Sequence, residues 1–210
     1  MINLITQLFI GLSVGGNVVA AKAIGEGRKD TVREVVRTAV TTSLVSGVLL
    51  LAFGVCMAKP LLELMDTPED VIRLSTLYLR IFFLGMPFLM LYNFGSALLR
   101  AKGDTRRPLY FLLFAGVINV ILNCFFVIVF HMDVAGVALA TVISQAISAG
   151  LILRCLCREE GMMHLDLHHL GIQKDILKRM LQIGLPAGIQ GVVFSFSNVV
   201  IQSSVNSLDQ

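Results

Sequence analysis

The sequence contains no tryptophan, three tyrosines and only 15% charged residues, against 56% apolar ones. Soluble domains carry about a quarter charged residues and roughly 45–50% apolar ones, so a chain this poor in charge is not an ordinary soluble enzyme domain. The net charge is +3 and its cations are not gathered into one patch, which removes nucleic acid as a partner. Four cysteines, two of them (Cys56 and Cys124) inside apolar runs, make no disulfide framework. Cys155 and Cys157 have no second pair at metal spacing, and neither do His164, Asp166, His168 and His169. No metal and no resident cofactor is expected.

What the chain has instead is six stretches free of Asp, Glu, Lys and Arg: Met1–Ala21, Thr38–Ala58, Ile81–Leu99, Pro108–Met132, Val134–Leu153 and Met180–Leu208. A bilayer core takes about 20 apolar residues as a helix. Backbone N–H and C=O groups must be paired internally there, so these spans are helical. The expected fold is all-α, a polytopic helical bundle in the cell membrane, surrounded by lipid. Ala21-Lys22-Ala23 superficially resembles a secretory cleavage site, but no cation precedes it and Asn3, Thr6, Gln7, Ser13 and Asn17 interrupt the run. A spanning helix is the better reading.

The connections alternate in charge. Lys22, Arg28, Lys29, Arg33 and Arg37 lie in the first; Lys59 and Arg73 in an otherwise acidic second; Arg100, Lys102, Arg106 and Arg107 in the third. The fourth has no Lys or Arg, and the fifth has Arg154, Arg158, Lys174, Lys178 and Arg179. Connections one, three and five are therefore cytoplasmic, and Met1 starts on the outer side. With nothing ahead of it to set that orientation, the chain reads as a fragment.

Local signals fill in the helices. Gly11-x-x-x-Gly15-Gly16 suits a close helix contact. Gly25-Glu26-Gly27 suits a helix end. Pro87 and Pro186 permit bends inside the third and sixth spans. Pro60–Met65 reads as a short interfacial helix, with Thr67-Pro68-Glu69 starting the next. Ile172–Met180 reads as an amphipathic helix on the cytoplasmic face.

Polar residues within the spans face other helices or water, because lipid offers them no partner. Asn119 and Asn123 are four apart and share a face. Thr141, Ser144, Gln145 and Ser148 form a stripe on the fifth span, Thr38, Thr42 and Ser46 on the second, and Tyr92 and Ser96 on the third. Stripes on several helices favour a shared water-filled cavity over isolated interhelical hydrogen bonds, each worth roughly 0.6 kcal/mol. Arg80 lies about 12 Å inside the third span, where snorkelling to the surface and lining a cavity both keep its charge wet. The spans hold no Asp or Glu and no buried constellation for an enzyme.

The stretch from Gly95 to Pro108, in which Arg100 is followed by Gly103-Asp104-Thr105-Arg106 and then Pro108, resembles the fourth-to-fifth helix connection of multidrug and toxic compound extrusion (MATE) transporters. Ile118-Asn119, Asn123 and Val134-Ala135-Gly136 through Thr141 continue the resemblance. Gly15 to Gly27 is similar to the end of that family's second helix, and Ile183-Gly184-Leu185-Pro186 to the opening of its seventh.

The resemblance implies one six-helix lobe region of a twelve-helix, two-lobe carrier. Residues 1–154 would be the second to sixth helices of the N-terminal lobe, 155–180 a cytoplasmic inter-lobe linker, and 181–210 the incomplete first helix of the second lobe. It further implies secondary active efflux of small organic, mainly cationic, drugs or toxins by antiport against Na+ or H+. The partner within the same chain would be the missing second lobe. Asn93, Asn119, Asn123, Thr141 and Gln145 would line the substrate cavity, with Arg80 a further candidate. Gly103, Asp104, Thr105, Arg106 and Pro108 would anchor two helices, with Asp104 pairing Arg106 or Arg107.

Where some members carry a glutamate in the seventh helix, this chain has Val193-Phe194-Ser195, so that ion site does not carry over. The alternatives are a lipid-linked or other metabolite exporter of the same superfamily, which should show several cations inside the lobe, and an inactive truncated chain.

The orientation has a direct check. In a background without the native cysteines, Thr105→Cys should resist an impermeant thiol reagent added to intact cells; rapid labelling from outside would reverse the topology.

Overall fold

The computed structural model describes residues 2–64 and 69–208. Every span forms a helix: α1 (Ile2–Gly25), α2 (Lys29–Leu64), α3 (Glu69–Leu84), α4 (Met86–Ala101), α5 (Arg106–Cys124), α6 (Asp133–Arg158) and α7 (Lys174–Leu208). These give six membrane-capable segments, with α3 and α4 sharing one. Among the described residues there is no strand.

The third span breaks at Gly85, whose N–H donates to Phe82 O at 3.0 Å, and Pro87 stands in the first turn of α4. A proline lacks an N–H to give, so it fits where a helix starts anew. The break is held from two sides. A Cβ on Gly85 would stand 2.2 Å from Gln145 Oε1, and one on Gly47 of α2 would stand 2.4 Å from Pro87 Cα.

Helix α4 is the buried centre of the inner half, packed among α1, α2 and α6. Met86, Met90, Phe94, Leu98 and Leu99 are all but inaccessible. Polar side chains tie its neighbours to it: Asn17 Nδ2 donates to Ala97 O at 2.7 Å, and Tyr92 OH donates to Pro108 O at 2.8 Å.

The longest helix contact joins α1 to α7. There the glycines of the first span meet Gly184-x-x-x-Gly188. A Cβ on Gly11 would lie 2.3 Å from Gly188 Cα, one on Gly15 2.1 Å from Met180 O, and one on Gly184 2.7 Å from Leu12 Cα. Real atoms do not approach so closely, so the two backbones touch only because these side chains are missing.

Several local expectations change. Helix α2 runs through Pro60 to Leu64 without a separate interfacial helix, while Met65, Thr67 and Pro68 lie outside the described residues. The left-handed residue after α1 is Gly27 (φ 67°), two positions beyond Gly25. Ile172–Met180 is not a separate surface helix: α7 begins at Lys174 and is continuous through Pro186, with Ile176 and Met180 buried.

The non-helical part of the 155–180 segment is also shorter, because α6 continues to Arg158. Arg37 Nε donates to His169 O, and Gln173 N donates to Thr38 Oγ1 at 3.2 Å, which latches this connection to α2. The Thr38–Ser46 stripe is packed among the helices, with Thr38 at the edge of a cavity beside Gly171–Asp175. Its residues are buried, with Thr42 Oγ1 donating to Thr38 O and Ser46 Oγ to Thr42 O, both at 2.6 Å. Hydroxyls bonded to their own helix backbone satisfy themselves without a cavity.

Candidate functional site

Between α5 and α6 the structure builds a neutral polar cluster. Asn119 Nδ2 donates to Ser144 Oγ at 3.3 Å and lies 3.5 Å from Thr141 Oγ1. Asn123 Nδ2 donates to Asn119 Oδ1 at 3.1 Å. The hydroxyl protons are spent on the α6 backbone, Thr141 on Val137 O at 3.0 Å and Ser144 on Thr141 O at 2.8 Å. That leaves their oxygens free to accept from Asn119.

The chain of bonds ends at Asn123 Oδ1, which is buried and has no hydrogen-bond partner. A buried acceptor left unpaired among the described residues costs about 1–3 kcal/mol.

The helix changes character at this point. A π-helical turn, Phe125–Val129, follows Cys124 directly, and Phe125, Phe126 and Phe130 gather around it with ring centroids 5.3–6.2 Å apart. Such turns interrupt the regular backbone ladder and recur at functional sites. The polar face is set in an apolar helix whose other side, at Val117, Val120 and Ile121, is exposed.

The remaining candidates are not part of this cluster. Asn93 Nδ2 donates to Leu89 O of its own helix at 2.8 Å. Gln145 is one turn from Thr141 but rests its side-chain oxygen against Gly85. Arg80 lines a cavity with Lys59 and Arg73, residues of the second connection.

On the opposite side the Gly103–Pro108 turn is a clamp. Gly103 adopts φ 93°, a conformation that favours glycine, and Asp104 N–H donates to Leu99 O at 3.0 Å. Asp104 accepts from Arg107 twice, from the backbone N–H at 3.2 Å and from Nε at 3.0 Å. Of the two arginines available, Arg107 therefore makes the pair, and Arg106 is exposed. Thr105 caps the start of α5 without a side-chain bond, while Pro108 is buried and offers its carbonyl to Tyr92.

The same Arg107 reaches across to Glu159 Oε2 at 2.8 Å, and Lys102 binds the other Glu159 oxygen. Glu159 is 8% exposed, so two cations of the third connection converge on one buried carboxylate after α6. Sequence reasoning missed this residue. Its signal was a Glu-Glu pair beside Arg158, which does not say which acid turns inward.

The histidine-rich segment resolves into local bonds. Asp166 accepts from His168 N–H at 3.0 Å and faces His169 Nδ1 at 2.7 Å; these bonds, the backbone one foremost, hold its carboxyl below the usual range. His164 Nδ1 lies 3.3 Å from Glu159 O. Among the described residues, no group of three or more His, Cys, Asp and Glu has metal-binding geometry.

The MatE family model matches residues 1–125. The chain belongs to the MatE family. The probable multidrug resistance protein YoeA of Bacillus subtilis is 31% identical over 97% of this chain and 45% of its own length. The FAD transporter of Shewanella oneidensis is 23% identical over 98% of this chain and 46% of its own length. A solved MATE in the bent conformation superposes with a TM-score of 0.87 at 24% identity, over 95% of this chain and 45% of that one.

The chain thus spans about half the length of the curated relatives it matches. MatE proteins are transporters and not enzymes, and this one is a multi-pass membrane protein.

The MatE clamp makes a prediction. Glu159→Ala leaves Lys102 without this partner and Arg107 with Asp104 alone, at a cost of about 1–2 kcal/mol because both cations are partly wet. The unfolding midpoint in detergent should fall by about 4 °C, while Glu160→Ala, whose side chain is exposed, should leave it unchanged.

Proposed function

We propose that the carrier to which this chain belongs exports small organic cations, drugs or toxins, from the cytoplasm across the cell membrane, in exchange for Na+ or H+. Two lobes rock about a cavity near the bilayer midplane, exposing it to each side in turn. Residues 1–154 belong to one lobe, 155–180 connect to the second, and 181–210 open it. The second lobe supplies the opposite wall.

The observation that carries this reading is the unpaired Asn123 Oδ1 at the end of an uncharged bond chain. A cationic or N–H-bearing substrate supplies the missing donor, and releases it again because no fixed charge holds it. Asn119 and Thr141 orient that amide, while Asn93 and Gln145 line the path on neighbouring helices. The Phe125–Phe130 cluster offers aromatic faces to an apolar cation. Among the described residues, none in the cluster is an acid, so the coupling site lies elsewhere in the carrier.

A second reading, export of an anionic metabolite, draws on the similarity to the FAD transporter. The uncharged cluster favours the cation.

Asn123→Leu in the complete carrier should reduce efflux of a fluorescent organic cation by about tenfold, the worth of one hydrogen bond to a charged group, at unchanged expression. Unchanged efflux would make the cluster a packing device.

A further inference from the structure

Of the 17 Lys and Arg residues, only Lys59, Arg73 and Arg80 belong to the outer side set by the charge pattern. All three line the same cavity, of about 760 Å3, between the end of α2 and the Ile72–Arg80 stretch of α3. We propose that this cavity binds a phosphate-bearing amphiphile, independently of the transport path between α5 and α6.

The geometry has the parts for that ligand class. Arg73 and Arg80 are two helical turns apart on α3, about 10.5 Å along the axis, with Leu77 between them on the same side. Both arginines are exposed. Arg80, deeper in the span, reaches outward along its own stem toward the level of lipid headgroups.

Lys59 contributes from α2. Its pairing with Glu63 spans 3.7 Å with both side chains more than half exposed, a contact that yields readily to a better anion. The side chains of Asp66, Glu69 and Asp70 in the same connection lie outside the described residues.

The chemistry of the lining selects the occupant. Guanidinium groups bind phosphate oxygens through paired N–H donors, and an ammonium adds a mobile third contact. Ile72, Leu74 and Leu77 form an apolar wall beside the cations. Inorganic phosphate leaves that wall bare, whereas an amphiphile covers it. The cavity falls within the range that holds such a molecule, about 300–1,000 Å3. The source is either an anionic phospholipid of the outer leaflet or a soluble alkyl phosphate.

Binding to the full chain in detergent tests this by native mass spectrometry. Dioctanoyl phosphatidylglycerol should be retained far better than dioctanoylglycerol, which has the same tails and no phosphate. Equal retention of the two overturns the proposal without any variant. Octyl phosphate separates the sources: binding as tight as the lipid's means that phosphate and tail suffice, and weaker binding means that the glycerolipid headgroup is read.

The Lys59→Gln/Arg73→Gln/Arg80→Gln variant should lose affinity for phosphatidylglycerol by about a hundredfold, because each interfacial cation contributes about fivefold. The charge-matched Arg28→Gln/Lys29→Gln/Lys174→Gln variant should not. Loss of affinity in both alike, or in neither, contradicts the assignment.

Discussion

Two helices come backbone to backbone only where a Cβ is missing at the contact, and that constraint fixes where α1 meets α7. Gly11 and Gly15 present bare backbone to Gly188 and to the Met180 carbonyl, and Gly184 does the same for Leu12. Lipid tails are as apolar as leucine, so inside a membrane no hydrophobic force holds such a pair. Close packing does. The remaining helices are arranged around this contact: α4 lies against α1, and α2 and α6 enclose α4. Gly116 of α5, by contrast, meets nothing within 4 Å of an added Cβ, so closeness belongs to particular glycines and not to glycine in general.

The charges are distributed to leave that packed interior neutral. At one end of the bundle they work as ties, with Glu159 gathering Lys102 and Arg107 and so joining the end of α6 to the start of α5. Between the same two helices, deeper in the membrane, only amides and hydroxyls remain. A fixed charge there would carry a desolvation cost and hold an opposite charge too tightly to release it. The clamp and the cluster therefore share a scaffold, one charged and the other neutral.

Much of this was legible in the sequence because it rests on periodicities. Charge-free runs showed the six spans, and a four-residue interval put Asn119 and Asn123 on one face. Pro87 marked the break that the structure places at Gly85. Gly103 and Asp104 carried the turn of the third connection. What stayed hidden depended on who meets whom. Gly184-x-x-x-Gly188 was overshadowed by Pro186 in its middle, which reads as a bend, and its match to Gly11 and Gly15 is a tertiary fact. The Thr38–Ser46 stripe looked like a wet wall because sequence does not reveal that Thr42 and Ser46 bond their own helix backbone while Thr38 accepts from Gln173 N–H. Glu159 and Glu160 are alike in type, and only the fold turns one of them inward. The family resemblance placed the helices within a carrier, while the roles of individual polar residues rest on their geometry.

The α1–α7 contact is open to a direct measurement through a pair on its outer part. A Cβ built on Gly191 lies 3.8 Å from Gln7 Cβ, within the separation that a disulfide spans. With Gln7→Cys and Gly191→Cys in a background lacking the other cysteines, and a protease site inserted after Gly161, oxidation should leave the two cleaved fragments joined until a reductant is added. Fragments that separate without reductant, from protein that still elutes as a folded species, would contradict the backbone contact on which this arrangement depends.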